Sequence, residues 1–127
     1  MDMQEKFNKA WEYKKQKKFK EALDLYRELQ NELADKAAEY ARTLPETGID
    51  TDDGKGVIIM PKLFLEADNY LKRDSHYATV LNNMGVIYAE AGDKQSAINC
   101  FKESILYTPD GLSYPNPKIG LEELNDL

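Results

Sequence analysis

From Tyr77 onward the apolar positions fall at Tyr77, Leu81, Met84, Tyr88 and Ala91, in alternating steps of four and three. That period lays a single stripe along an α-helix. Gly92 and Asp93 interrupt it: the glycine can take the left-handed exit conformation, and the aspartate can cap a following helix. A second stripe, Ala97, Ile98, Phe101 and Ile105, ends before Pro109. Two short helices with a two-residue turn between them predict an antiparallel hairpin.

The first half repeats the scheme more loosely. Met3, Phe7, Ala10, Trp11 and Tyr13 line one helix, and a lysine-rich turn follows. Phe19, Ala22, Leu23, Tyr26 and Leu29 start another stripe, which runs on through Leu33, Ala37, Tyr40 and Leu44 to Pro45. The pattern predicts one long helix from about residue 19 to 43. Residues 45–56, PETGIDTDDGKG, have no apolar period and read as a loop. Pro61 fits the first turn of a further helix, with Leu63, Phe64, Ala67, Tyr70 and Leu71 on its buried face. In the tail, Asn116 followed by Pro117 reads as the start of a last short helix, with the asparagine as its cap. The expected fold is all-α, with about six helices and no strand, and 127 residues are room for one domain.

Gly85 lies inside the first apolar turn of the second hairpin, where a glycine costs about 1 kcal/mol relative to alanine. Its surroundings explain it. Leu81, Met84, Gly85 and Tyr88 on one helix, Ala97 and Phe101 on the next, and Pro109 after them stand at the spacing of a helix–turn–helix repeat. On these residues the segment from Ala78 to Asp110 resembles the tetratricopeptide repeat. The resemblance implies that Gly85 and Ala97 let the paired helices approach closely, with Tyr88 and Phe101 filling the space around them. The first hairpin is a weaker copy: Ala10, Tyr13, Ala22 and Tyr26 align with Gly85, Tyr88, Ala97 and Phe101. Lys9 stands in place of Met84, and Ala34 in place of the proline. Ala22 and Ala97 are 75 residues apart (97 − 22), two periods of about 34 plus seven, so a degenerate repeat with a swollen turn could occupy the middle. The chain is therefore expected to be a single domain of antiparallel helical hairpins stacked as a short tetratricopeptide-like superhelix. Its parts are a repeat over 3–36, an irregular helix and acidic loop over 37–75, a repeat over 78–111 and a capping helix over 117–125.

Stacked helical repeats leave a concave surface lined by the first helix of each hairpin. The resemblance implies that this groove binds a peptide or helix of a protein partner. Carried across position by position, it places Gln4, Phe7, Asn8, Trp11, Lys14 and Lys15 in the groove from the first repeat. From the second it places Thr79, Asn82, Asn83, Val86 and Glu90 there. Asn8 and Asn83 are equivalent, and an asparagine at that position implies a hydrogen bond to ligand backbone; the alternative is an asparagine that satisfies a neighbour. Phe7 and Trp11 stand where a chaperone-tail clamp would carry lysine and asparagine, so a more apolar or mixed ligand is expected. The alternative function is a structural subunit that associates with a second copy (a homodimer) through the same surfaces or through the long helix.

Composition narrows the partners. A net charge of −6 argues against a nucleic-acid binder. The longest apolar run, Val57-Ile58-Ile59-Met60, is far below the roughly 20 residues of a membrane span. The polar stretch from Met1 to Lys6 lacks the apolar core of a signal peptide. One cysteine, Cys100, allows no intrachain disulfide and no zinc cluster. A cytoplasmic protein without cofactor or metal is expected. Five lysines between Lys14 and Lys20 read as a solvated helix end rather than a basic patch. The 48–61 segment fits neither a calcium loop nor a phosphate loop, and its apolar run is expected to anchor the loop on the core or, alternatively, to fill the groove. His76 is the only histidine and Cys100 lies mid-helix; no third group orients either, so no enzyme is expected.

Overall fold

The computed structural model describes residues 1–44 and 66–124. Among them are six helices and no strand: α1 (Met3–Lys15), α2 (Phe19–Thr43), α3 (66–71), α4 (His76–Glu90), α5 (Lys94–Leu106) and α6 (Asn116–Glu123). The expected start of α3 at Pro61, with Leu63 and Phe64 on its inner face, lies outside the described residues, as do the two loop readings and the apolar run at 57–60.

Local chemistry sets the helix ends. Asp2 caps α1 by accepting from the Glu5 N–H at 2.8 Å. Gly92 takes a φ of 88°, and Asp93 accepts from the Ser96 N–H at 3.2 Å, so both punctuation marks act as the sequence indicated. The same turn recurs between α1 and α2. The Lys18 N–H reaches the Tyr13 carbonyl at 2.8 Å, as the Asp93 N–H reaches that of Tyr88 at 2.9 Å. Lys17 there occupies the left-handed position, at φ 59°, that Gly92 fills in the second hairpin. In the last helix the expected cap is shifted. Asn116 is the first helical residue, Pro115 precedes it, and no side chain caps this end.

α2 is continuous over 25 residues. Ala22, Tyr26, Leu29, Leu33, Ala37 and Ala41 form its buried face. Tyr40, expected in that stripe, instead stands at the surface against Tyr70, with ring centroids 5.0 Å apart. α1 and α2 pair, α4 and α5 pair, and α4 packs directly on α2. The two hairpins are therefore neighbours in space despite the 75-residue offset, and no further hairpin separates α2 from α4 among the described residues. Leu71 of α3 is buried in the main core, with Ala67 and Tyr70 packed at its margin.

That core runs from Ala10 through the α2 stripe to Tyr77, Val80, Leu81, Met84 and Ile87. A second cluster joins α5 to α6 through Ala97, Ile98, Phe101 and Leu121. One α5 position differs from expectation. Ile105 is 44% exposed, and the inward position is Ser104, fully buried. Its small side chain lets α5 lie close to α4, and its hydroxyl donates to the Ala78 carbonyl at 2.7 Å. A lysine is also buried: Lys6, on α1, ion-pairs with Glu28 at 3.0 Å and with Glu32, both on α2.

Candidate protein-binding groove

α1 and α4, the leading helices of the two hairpins, present residues to a shared concave face. Trp11 stands at its centre, half-buried. On one side of it, Phe7, Asn8, Glu12, Lys15, Tyr26 and Asn83 surround a cleft of about 550 Å³. On the other, Asn82, Asn83, Val86, Glu90, Phe101 and residues of α6 surround a cleft of about 440 Å³. Trp11 and Asn83 line both, so the two clefts form one groove.

The groove is fixed from behind by hydrogen bonds between α2 and α4. Asn83 Nδ2 donates to the Tyr26 hydroxyl at 3.2 Å, Gln30 Nε2 donates to the Tyr77 hydroxyl at 3.3 Å, and Arg27 donates to that of Tyr88. Burial raises the pKa of the Tyr26 hydroxyl to about 12, against a smaller opposing effect of Asn83. Tyr26 is therefore neutral at physiological pH. The neighbour-satisfying alternative thus describes the Nδ2 of Asn83. Its counterpart Asn8 accepts from Gln4 Nε2 at 3.0 Å.

Seven of the nine principal groove positions come together here: Phe7, Asn8, Trp11, Lys15, Asn82, Asn83 and Val86. Two are engaged elsewhere. Lys14 ion-pairs with Glu90 at 3.1 Å and lies 4.5 Å above the Trp11 ring, so it braces the α1 and α4 ends. Thr79 is hydrogen-bonded to Tyr114, whose hydroxyl pKa burial raises and Thr79 lowers. The sequence reading missed α6, which contributes Asn116, Ile119, Gly120, Glu123 and Leu124 to the second cleft. A signal was present: Ile119-Gly120 repeats Met84-Gly85 at a distance of 35 residues (120 − 85), close to one repeat period.

The remaining candidates are Cys100 and His76, and neither lines the groove. Burial lifts the Cys100 thiol to about 11, which keeps it protonated and unreactive. His76 Nδ1 lies 3.2 Å from an Asp74 carboxylate oxygen on the exposed edge of a small cleft. No cluster of His, Cys, Asp and Glu suited to a metal occurs among the described residues. No helix among them is long and apolar enough to cross a membrane.

Residues 78–110 match the family model of the tetratricopeptide repeat, the same span that carried the resemblance. No curated protein and no solved structure matches the chain. Repeats of this family mediate protein–protein interactions, and the match supports a protein partner.

Proposed function

We propose that this domain is a non-catalytic interaction module that binds a peptide or helix of a protein partner in the groove between α1, α4 and α6. The observation that carries this reading is the continuity of the two clefts through Trp11 and Asn83. A groove with apolar walls and a few convergent amides suits a peptide: apolar contact supplies affinity and the amides orient backbone. Phe7, Trp11 and Val86 provide the apolar contact, and Asn8, Asn82, Asn83 and Lys15 the polar one. The acidic balance of the chain speaks for protein rather than nucleic acid as the ligand, and we place the protein in the cytoplasm on the composition given above. The test is selection of a random peptide display library on the immobilised domain. Peptides enriched on the wild type and lost on folded Trp11→Ala and Asn8→Ala variants support the groove. No enrichment, or equal retention by both variants, refutes it.

A second reading is favoured by a separate observation. Ile105, Leu106 and Leu112 are 44%, 66% and 47% exposed at the end of α5 and the turn after it. Such an apolar surface suits self-association, which would make the protein a structural subunit.

A further inference from the structure

Lys17 breaks a local rule that its counterpart keeps. It holds a left-handed backbone, φ 59°, at the position where the second hairpin has Gly92. A glycine would sit there without strain, and strain retained in a fold points to a use for the side chain. The next residue departs in the same direction, because Lys18 stands where the second turn has Asp93. Two turns of matched geometry thus carry two lysines in one case and a glycine and an aspartate in the other.

Positive charge is concentrated around the first of them. Residues 9–20 contain six lysines and one acid, Glu12, a net charge of +5, so the rest of the chain carries −11 (−6 − 5). Lys14 is paired with Glu90 and Lys15 with Glu12. Lys9, Lys17, Lys18 and Lys20 are exposed and make no ion pair among the described residues. Two of these are held in place: the ammonium groups of Lys9 and Lys18 lie 5.6 and 5.9 Å from the centroid of the Tyr13 ring. A cation ordered on a ring beforehand loses less freedom when it binds. From sequence alone these lysines read as a solvated helix end; their seat on Tyr13 and the strain at Lys17 are what the fold adds.

We propose that the turn between α1 and α2 is an interaction surface of its own, which docks a short acidic segment of a protein partner on Lys9, Lys17, Lys18 and Lys20. None of the four lines either cleft of the groove, so the surface lies outside it. Charge complementarity selects carboxylates. Length selects a peptide over a longer polyanion. The field of an exposed charge reaches about 8 Å at physiological salt. A nucleic acid or a membrane surface extends past a single turn and meets the acidic remainder of the chain, which repels it. A run of a few glutamates or aspartates ends where the lysines end.

The probe is fluorescein-labelled hexaglutamate, titrated into the full chain and followed by anisotropy, with hexaglutamine as its control. Hexaglutamate is expected to bind at least about tenfold more tightly than hexaglutamine at low salt and to weaken as salt rises. Lys17→Gly is expected to weaken that binding about threefold, the range of one exposed charge pair, while the melting temperature rises. A merely structural lysine would give the rise without the loss. Lys9→Gln/Lys18→Gln is expected to weaken it about tenfold, as two such pairs allow, and keeps the proposal testable if Lys17→Gly fails to fold. Lys36→Gln, roughly 24 Å from Lys20 along α2, is expected to bind as wild type does. Absence of hexaglutamate binding overturns the proposal. So does binding unchanged in the turn variants, or an equal loss in Lys36→Gln, which would make the attraction diffuse. Tighter binding to phosphatidylserine vesicles or to a single-stranded oligonucleotide than to hexaglutamate overturns it as well, by assigning the surface to another class of partner.

Discussion

Phe101 occupies the space that a side chain at Gly85 would need: a Cβ there would lie 2.7 Å from the ring carbon Cε1. The same ring lies close to α6: a Cβ on Gly120 would lie 2.6 Å from its Cζ. One aromatic ring thus holds α4 and α6 at glycine distance from α5. Gly85→Ala should gain about 1 kcal/mol in helix propensity and lose about 1–3 kcal/mol to overpacking. Net destabilisation is the expected result in urea melts, with Gly120→Ala in the same direction. Phe101→Leu should reduce the penalty of either alanine in a double-mutant cycle.

Lys17 carries a left-handed backbone that its counterpart Gly92 adopts without strain. Left-handed conformation costs a residue with a Cβ about 1–2 kcal/mol. Lys17→Gly removes that cost but adds chain entropy to the unfolded state. The expected outcome is a stabilisation of up to about 1 kcal/mol. An unchanged or lowered melting temperature would contradict the reading of this turn.

The Lys6 ammonium has its pKa held above the usual 10.5 by the hydrogen bonds it donates to Glu32 and Glu28, against some desolvation. A group whose pKa rises on folding stabilises the fold fully below its unfolded value and loses that contribution as pH climbs through the folded value. The ion pairs of Lys6 should therefore be intact at neutral pH and lost only above about pH 10.5. Denaturation midpoints measured on wild type and on Lys6→Met should diverge at pH 7 and converge in strong alkali.

Tyr26 and Asn83 tie α2 to α4, and the two halves of the bond should not be equivalent. Tyr26→Phe deletes a buried hydroxyl together with its bond and should cost about 1 kcal/mol. Asn83→Ala leaves the buried hydroxyl without a donor and should cost more, about 1–3 kcal/mol. Chemical denaturation of the two variants measures the order, and a costlier Tyr26→Phe would contradict it.

The fold was legible where local rules agree. The Gly92-Asp93 turn, the Gly85–Phe101 spacing and the unbroken stripe of α2 all reduce to period and punctuation, and each reads directly from the chain. Ser104 escaped because a serine inside a helix carries no apolar signal, although its hydroxyl meets the Ala78 carbonyl. Lys6 escaped for the same reason; only the packed α1–α2 pair shows the two glutamates that surround it. In the groove, positions carried over from a repeat pattern identify which side chains face inward. They do not show that Glu90 has taken Lys14, or Tyr114 has taken Thr79, because those partners come from another helix and from the stretch before α6. From the sequence α6 reads as a cap and not as a wall, since the turn-rich stretch before it hides the return of the Met-Gly spacing as Ile119-Gly120.

The central claim is that the groove around Trp11 and Asn83 is free for a foreign protein segment. The most direct measurement is solution mass by light scattering over a wide concentration range, on wild type and on a folded Trp11→Ala/Asn83→Ala variant. The account predicts a monomer of 14.6 kDa for wild type at every concentration, and the same for the variant. A wild-type dimer that the variant reduces to monomer would contradict it, because the groove residues would then be an interface between copies of the chain.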